Sequence, residues 1–309
     1  KAVSSLRNQG YGIVSTPRRG HRLDTLTDCP LAAEVQPLLT TEYLGHAWVY
    51  EPTMASTNAR ATQLAQAGAP GGLVVVADTQ TRGRGRLQRS WLSPAGGSLL
   101  VSAILRPRIA PVRVPQISLV AAVAVRRALN QAVPDLHPVL KWPNDVWAGG
   151  RKLAGILCEM DAELDRVHHV VVGLGLNVAI QDTDFPEDLR AKATSILAQT
   201  GRRIGRPALL AGVLNELEKA LDEWLAAADL TPFLGELGEG SPLDGHRIGV
   251  EQLGSVTEGT AAGVAPDGRL RLRTDAGTVI LIGSGDVHVL VPPSEGCKDR
   301  SSGCLPRSD

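Results

Sequence analysis

The chain has 309 residues, enough for two domains or one large domain with satellites at about 100 to 200 residues each, and its 43% apolar and 21% charged residues exclude a disordered chain or a coiled-coil rod. Only 3% of residues are aromatic, so the core must be built from Leu, Val, Ile and Ala. Lys plus Arg (32) balances Asp plus Glu (32), which argues against a general polyanion binder and leaves local basic patches open.

The longest apolar run, about Leu119 to Val125, is far short of the roughly 20 residues a membrane helix needs. The N-terminus, Lys1-Ala2-Val3-Ser4-Ser5, has neither a hydrophobic signal region nor an initiating methionine, so the expectation is a cytoplasmic protein whose sequence starts inside a longer chain. Cys29, Cys158, Cys297 and Cys304 fall at no metal-ligand spacing and read as free thiols in a reducing compartment.

In chain order, Ala2 to Gln9 is predicted as a helix ending at Gly10, followed by strands Tyr11 to Ser15 and His21 to Leu23 joined by Thr16-Pro17-Arg18-Arg19-Gly20. Lys1, Arg7, Arg18, Arg19 and Arg22 meet no acid before Asp24. A helix plus an arginine-tipped hairpin resembles the last part of a winged helix-turn-helix, whose two earlier helices are absent here; the alternative is a solvated basic hairpin. Residues 28–39 read as a linker. Beyond it, strands are predicted at Leu73 to Ala77, Ser98 to Leu105, Leu153 to Glu159 and Val170 to Leu176, with helices at Asn58 to Ala67, Gln116 to Gln131 and Pro207 to Ala228. The acids Glu216, Glu218, Asp222 and Glu223 are expected on the solvent side of the last helix. This pattern gives an α+β class, a mixed β-sheet backed by helices. Five short strands from Arg247 to Val291, with turns at Pro266-Asp267-Gly268 and Asp275-Ala276-Gly277, suggest a small closed barrel. The expected division is 1–27, 28–39, 40–239, 240–293 and a disordered tail, 294–309.

Three segments carry the chemistry. Thr79 to Trp91 places Arg82, Arg84, Arg86 and Arg89 without an acid among Gly83 and Gly85, a loop suited to gripping an anionic small molecule. The rival reading is an RNA-contacting Arg-Gly run, and Gln88 breaks any dinucleotide fingerprint. Lys141-Trp142-Pro143-Asn144-Asp145 is followed by Gly149-Gly150-Arg151-Lys152-Leu153-Ala154-Gly155-Ile156, where Lys152 can hold a negative oxygen during group transfer; for Lys141 a surface position and a ligand contact stay open. Val172-Gly173-Leu174-Gly175-Leu176-Asn177 puts glycines inside a buried strand, where either packed backbone or a ligand comes close.

Together with Ser56-Thr57-Asn58, these motifs resemble the biotin protein ligases over roughly residues 40 to 293. The resemblance implies a catalytic domain of the class II aminoacyl-tRNA synthetase/biotin ligase type, an SH3-like C-terminal barrel and, in one subgroup, a winged helix that represses biotin-synthesis genes. It implies ATP and biotin as substrates with Mg²⁺, a biotinyl-5′-AMP intermediate, and transfer to a lysine of a biotin carboxyl carrier domain. It assigns Ser56, Thr57, Asn58, Gln80 and the Gly83, Gly85 and Arg86 backbone to the ureido end of biotin. Gly155, Gly173 and Gly175 would floor the thiophane pocket. Lys152 would sit between carboxylate and α-phosphate, with Arg84, Arg86 and Arg89 on phosphate oxygens, and Lys152, Arg86 and Arg84 as the catalytic set. Trp91, Asn144 and Asn177 would lie near the adenylate, and Ile180 to Ala193 would fold over adenine. No metal cage is evident, Asp145 being the one carboxylate to name. The chain departs from the family at Arg82 and Gln88 in the loop and at Ala55 before Ser-Thr-Asn. Alternatives are a biotin-responsive regulator, homodimeric and DNA-binding if its missing helices are present, and a lipoate-type ligase.

Overall fold

The computed structural model describes residues 2–92, 94–252 and 254–290. The tail 294–309, with Cys297 and Cys304, lies outside them, as does the side chain of Gln88.

The N-terminal helix α1 (Ala2–Asn8) and the antiparallel hairpin β1 (Gly12–Thr16) and β2 (Gly20–Thr25) match the sequence pattern but bury no apolar side chain of their own. Arg7 holds them together, its guanidinium donating to the Ile13 carbonyl at 2.6 Å and the Ser15 hydroxyl at 2.7 Å. Residues 28–39 are not an open linker. They form α2 (Ala32–Val35) and a following 3-10 turn, with Val35 fully buried beside the long C-terminal helix. Asp28 is fixed by Arg206, whose guanidinium also reaches Asp78 at 2.5 Å.

The body is a mixed sheet of β3 (Trp48–Met54), β4 (Val74–Gln80), β5 (Ser98–Leu105), β6 (Val139–Lys141), β7 (Asp145–Ala148), β8 (Arg151–Ala162) and β9 (Val167–Asn177), in the order β3-β4-β5-β9-β8-β7-β6. Only β3 and β4 run parallel. Helix α3 (Thr57–Gln66) connects those two strands, since a parallel pair needs a crossover.

Strand parity divides the sheet. On β9, Val170, Val172, Leu174 and Leu176 join the core under α4 (Val114–Ala132) and α7 (Arg206–Ala227), each buried side chain stabilising by about 1.5–3 kcal/mol. The opposite face carries Val171 beneath α3, then Gly173, Gly175 and Asn177, which α3 leaves uncovered. The missing side chains on one face and the leucines on the other are the same period-two pattern.

Short helices α5 (Glu187–Arg190) and α6 (Ile196–Thr200) fill the segment between β9 and α7. Two of the acids expected in solvent on α7 are buried. Glu218 accepts the backbone N–H groups of Glu42, Tyr43 and Leu44 at 2.5, 3.1 and 2.8 Å, and Glu216 accepts from Gln131 and Lys219. A buried carboxylate persists when such donors replace its water.

After α8 (Leu234–Gly238), strands β10 (Arg247–Gln252), β11 (Ser255–Val264), β12 (Leu270–Arg273), β13 (Val279–Ile282) and β14 (Asp286–Val289) form an antiparallel sheet ordered β13-β12-β11-β10-β14. Its end strands, β13 and β14, share no ladder among the described residues, so the expected closed barrel is open in its hydrogen bonding. This sheet is not a separate satellite. Ile248, Val250, Leu270 and Leu272 belong to the same core as α4, and the Trp142 indole donates to the Gly268 carbonyl at 2.9 Å.

Candidate active site

The uncovered face of the large sheet floors a cavity of about 770 Å³. It collects Ser56, Thr57, Asn58, Gln80, Arg84, Gly85, Arg86, Arg89, Trp91, Asn144, Lys152, Gly155, Gly173, Gly175 and Asn177. Arg82 of the arginine loop is not in the wall, and neither is Gly83. This glycine closes the base of the arginine loop, its carbonyl accepting from Trp91 N–H at 3.0 Å.

One end is neutral and fully wired. Ser56 caps α3 through the Ala59 N–H, placing Thr57 and Asn58 in the first turn over the sheet. The Gln80 side-chain oxygen accepts from the Thr57 N–H at 2.7 Å. Ser102, fully buried, donates to Asn58 Oδ1, 2.6 Å away, and lies 2.8 Å from Thr57 Oγ1. Asn58 donates in turn to Glu159 at 2.7 Å. A Cβ on Gly173 would lie 1.9 Å from Asn58 Oδ1, so this glycine exists to admit Asn58.

The other end is cationic. Cross-strand register sets Lys141 opposite Asp145, Asp145 opposite Gly155, and Gly155 opposite Gly175, one row across four strands. Lys152 Nζ stands 2.7 Å from Asp145 Oδ1 and 5.6 Å from the centre of the Trp91 ring. Trp91 lies on the glycine floor, where a Cβ at Gly175 would meet its indole at 2.5 Å and one at Gly155 would meet it at 3.2 Å. The sequence left packed backbone or a ligand as reasons for Gly173 and Gly175; what approaches them is a pair of site side chains, Asn58 and Trp91. The indole N–H groups of Trp91 and Trp147 are buried without a partner among the described residues, donors that a ligand oxygen would satisfy.

The arginine loop is less free than its glycines suggest. Arg86 donates to Asn144 Oδ1 at 3.3 Å and approaches the Gly285 carbonyl, while Arg89 is paired with Asp286 of the C-terminal sheet. Burial pushes the Arg86 pKa down, against Asp145 and Asp286, which favour its charge. Burial alone would raise the Asp286 carboxyl, but Arg89 holds it below the usual carboxylate range. The departures at Ala55 and Arg82 meet through backbone, Arg82 N–H donating to the Ala55 carbonyl at 2.9 Å, a bond either side chain leaves intact.

A flap completes the wall. Phe185, Leu189, Ala191, Lys192 and Ala193 face the cavity, and their segment is stitched to the sheet by Lys152 N–H to the Lys192 carbonyl (2.8 Å) and Asn177 Nδ2 to the Thr194 carbonyl (2.9 Å). Among the described residues no three His, Cys, Asp or Glu gather as a metal cage. Asp145 and Asp286 are the carboxylates of the wall. Sequence reasoning missed Ser102, Asp286 and His288. Ser102 was detectable as a polar residue of site-face parity in an apolar strand, whereas Asp286 and His288 reach the cavity only through the docking of the C-terminal sheet.

Comparison with known proteins agrees with this geometry. Residues 50–177 match the Biotin/lipoate A/B protein ligase family, and residues 245–290 match the Biotin protein ligase C terminal domain. The chain is 37% identical to the bifunctional ligase/repressor BirA of Bacillus subtilis over 290 residues, 94% of this chain and 88% of that protein. It is 37% identical to the biotin--[acetyl-CoA-carboxylase] ligase of Mycobacterium tuberculosis over 240 residues, 76% of this chain and 86% of the other. The biotin protein ligase of Aquifex aeolicus, solved with biotin and ATP, superposes with a TM-score of 0.69 at 27% identity, covering 79% of this chain and 100% of that one. The chain belongs to the biotin protein ligases.

Proposed function

We propose that the cavity carries out both steps of ATP-dependent biotin attachment. The observation that carries this reading is the pairing, over one glycine floor, of a neutral hydrogen-bonding end with a cationic end. The first suits the uncharged ureido ring of biotin, with Ser56, Thr57, Asn58 and Gln80 as its partners and the loop backbone at Gly83, Gly85 and Arg86 closing over it. The second suits a carboxylate and a triphosphate, which repel each other in water.

In the first step a biotin carboxylate oxygen attacks the α-phosphorus of ATP, the bond to the β-phosphate oxygen breaks, and pyrophosphate leaves with biotinyl-5′-AMP formed. Lys152 exchanges Asp145 for the two approaching anions and offsets the charge that builds between them. Arg84, Arg86 and Arg89 hold phosphate oxygens, and Asn144, Asn177, Trp91 and the flap bound the adenylate. Mg²⁺ bound with ATP would shield the phosphate charge, and Asp145 is the carboxylate of the wall that would hold it. In the second step the uncharged amine of a carrier-domain lysine attacks the acyl carbon and AMP departs. The arginine loop and the C-terminal sheet keep water from the anhydride. The test is exchange of labelled pyrophosphate into ATP: it should require biotin, and exchange without biotin, or with lipoate in its place, contradicts the reading.

A second role rests on α1 and the β1-β2 hairpin. Arg18 and Arg19 are exposed at the turn, and the Bacillus relative, matched along 94% of this chain, is named a ligase/repressor. In this reading the elements complete a winged helix when the upstream helices are present, and a homodimer binds operator DNA. A chain extended upstream by two such helices should bind biotin-operon DNA with an affinity that falls steeply with salt; absence of binding removes this role and leaves the ligase reading intact.

A further inference from the structure

The ladder between β4 and β5 runs from Val74 opposite Ala103 to Ala77 opposite Leu100 and, among the described residues, ends there. Beyond it the two strands part. Thr79 and Gln80 stay with β3 at the neutral end of the cavity, whereas Ser98 and Leu99 pair with Asn177 and Leu176 of β9. Arg206 stands in the opening. Its side chain is 3% exposed, and Nη1 donates both to Asp78 Oδ1 on one strand at 2.5 Å and to the Ser98 carbonyl on the other at 3.2 Å. On its other side Asp28 accepts from Arg206 Nε at 2.7 Å and from the Arg206 backbone N–H at 2.9 Å.

Both strand ends carry this bridge onward. The second oxygen of Asp78 accepts the Gly96 N–H at 3.2 Å, and the Gly97 carbonyl accepts from Val178 and Ala179, just before the flap, at 2.9 Å each. Ser98 Oγ lies 3.5 Å from Asn177 Oδ1, and Asn177 holds the flap through the Thr194 carbonyl. The place is a costly one for a cation: Arg206 is buried and opens α7, at the positive end of the helix dipole, so two carboxylates are needed to offset it. An apolar side chain would serve packing alone as well. What only a planar guanidinium supplies is a fork that fixes three segments at once.

The inference rests on the ligase reading, in which Gln80 holds the ureido ring and Asn177 bounds the adenylate, so that the spacing of these strand ends sets the spacing of the two substrates. We propose that Arg206 is a positioning residue for adenylate formation. Lying outside the cavity wall, it bridges Asp78 and Ser98 where the ladder stops and so holds the biotin end and the adenylate end at reacting distance. A misplacement of about 1 Å between reactants can cost on the order of 10²-fold in rate while each keeps its own contacts.

The experiment separates rate from folding in the full chain. Arg206→Lys keeps a charge beside Asp28 and Asp78 but cannot span both strands from one planar group. With biotin and Mg-ATP saturating, its single-turnover rate constant for adenylate formation should fall about 10-fold, and that of Arg206→Met about 100-fold. The biotin dissociation constant and the KM for ATP should stay within about threefold, since neither measures the distance between the substrates. A merely structural arginine would instead lower the burst amplitude, which counts folded enzyme, and leave the rate constant of the remainder unchanged. That result, or a wild-type rate constant in Arg206→Lys, overturns the assignment; where circular dichroism shows Arg206→Met to be unfolded, Arg206→Lys decides alone. If the wild-type chain itself makes no adenylate from biotin and ATP, the ligase reading fails and this proposal with it.

Discussion

The two ends of the cavity solve opposite problems on one sheet face. At the Asn58 end every polar group has a partner within the protein: Gln80 with Thr57, Ser102 with Asn58, Asn58 with Glu159. At the Lys152 end the pairs are provisional, since Asp145 and Asp286 occupy cations that an incoming anion would claim, and Lys141 has no such partner among the described residues. A fully satisfied network is rigid and selects by shape and hydrogen-bond pattern. A set of exchangeable ion pairs remains soluble and closed without ligand, yet yields to a stronger anion. In the proposed reaction, recognition and chemistry would be divided along the strand rows, with glycines at 173, 175 and 155 as the shared ground.

The largest effect should come from the cationic end. Lys152→Ala is expected to lower adenylate formation about 10²- to 10³-fold with a much smaller change in biotin affinity, measured by single-turnover pyrophosphate release against calorimetric titration. An equal loss of both would blur the division. At the neutral end Gly173→Ala forces a Cβ against Asn58 and should weaken biotin binding by about 1–3 kcal/mol, with calorimetry as the readout. Ser102→Ala removes the donor to Asn58 Oδ1 at a buried position and should cost about 1–3 kcal/mol, seen in urea denaturation and in biotin affinity alike.

The smallest effect concerns the link between the arginine loop and the C-terminal sheet. Asp286 has its folded pKa below the ordinary carboxylate value, so the pair with Arg89 stabilises the fold above the unfolded-state pKa, and the contribution is lost as pH falls through the folded one. The Arg89 side chain is 64% exposed, which limits the pair to about 0.2–1 kcal/mol by screening. Asp286→Asn should therefore leave neutral-pH stability nearly unchanged and flatten the acid limb of the stability–pH curve.

Much of this was legible in the sequence because period-two and period-3.6 patterns survive tertiary packing. Ser98–Leu105 emerged with both its ends, and α4 and α7 lie within two residues of their apolar stripes. Strand β3 escaped because Trp48–Met54 contains Glu51 and Pro52 and lies at the sheet edge, where a strand needs only one partner. The buried Glu216 and Glu218 escaped because a helix face is polar or apolar by sequence, whereas the donors of 42–44 that justify Glu218 arrive from 174 residues away. The candidate site was legible where its chemistry is local, in the arginine loop and the Lys152 turn. Asp286 was not, because its place beside Arg89 depends on a sheet docking 197 residues later in the chain. The glycines of β9 were visible as exceptions, but only the structure says that Asn58 and Trp91 fill the space.

The central claim is that these two ends serve one reaction. The most direct test is the intact mass and peptide map of a biotin carboxyl carrier domain after incubation with the chain, biotin and Mg-ATP. The expected result is a mass increase of one biotinyl group on a single lysine, absent when ATP or biotin is omitted. A carrier domain that stays unmodified with both substrates present, or that gains biotin without ATP, would contradict it.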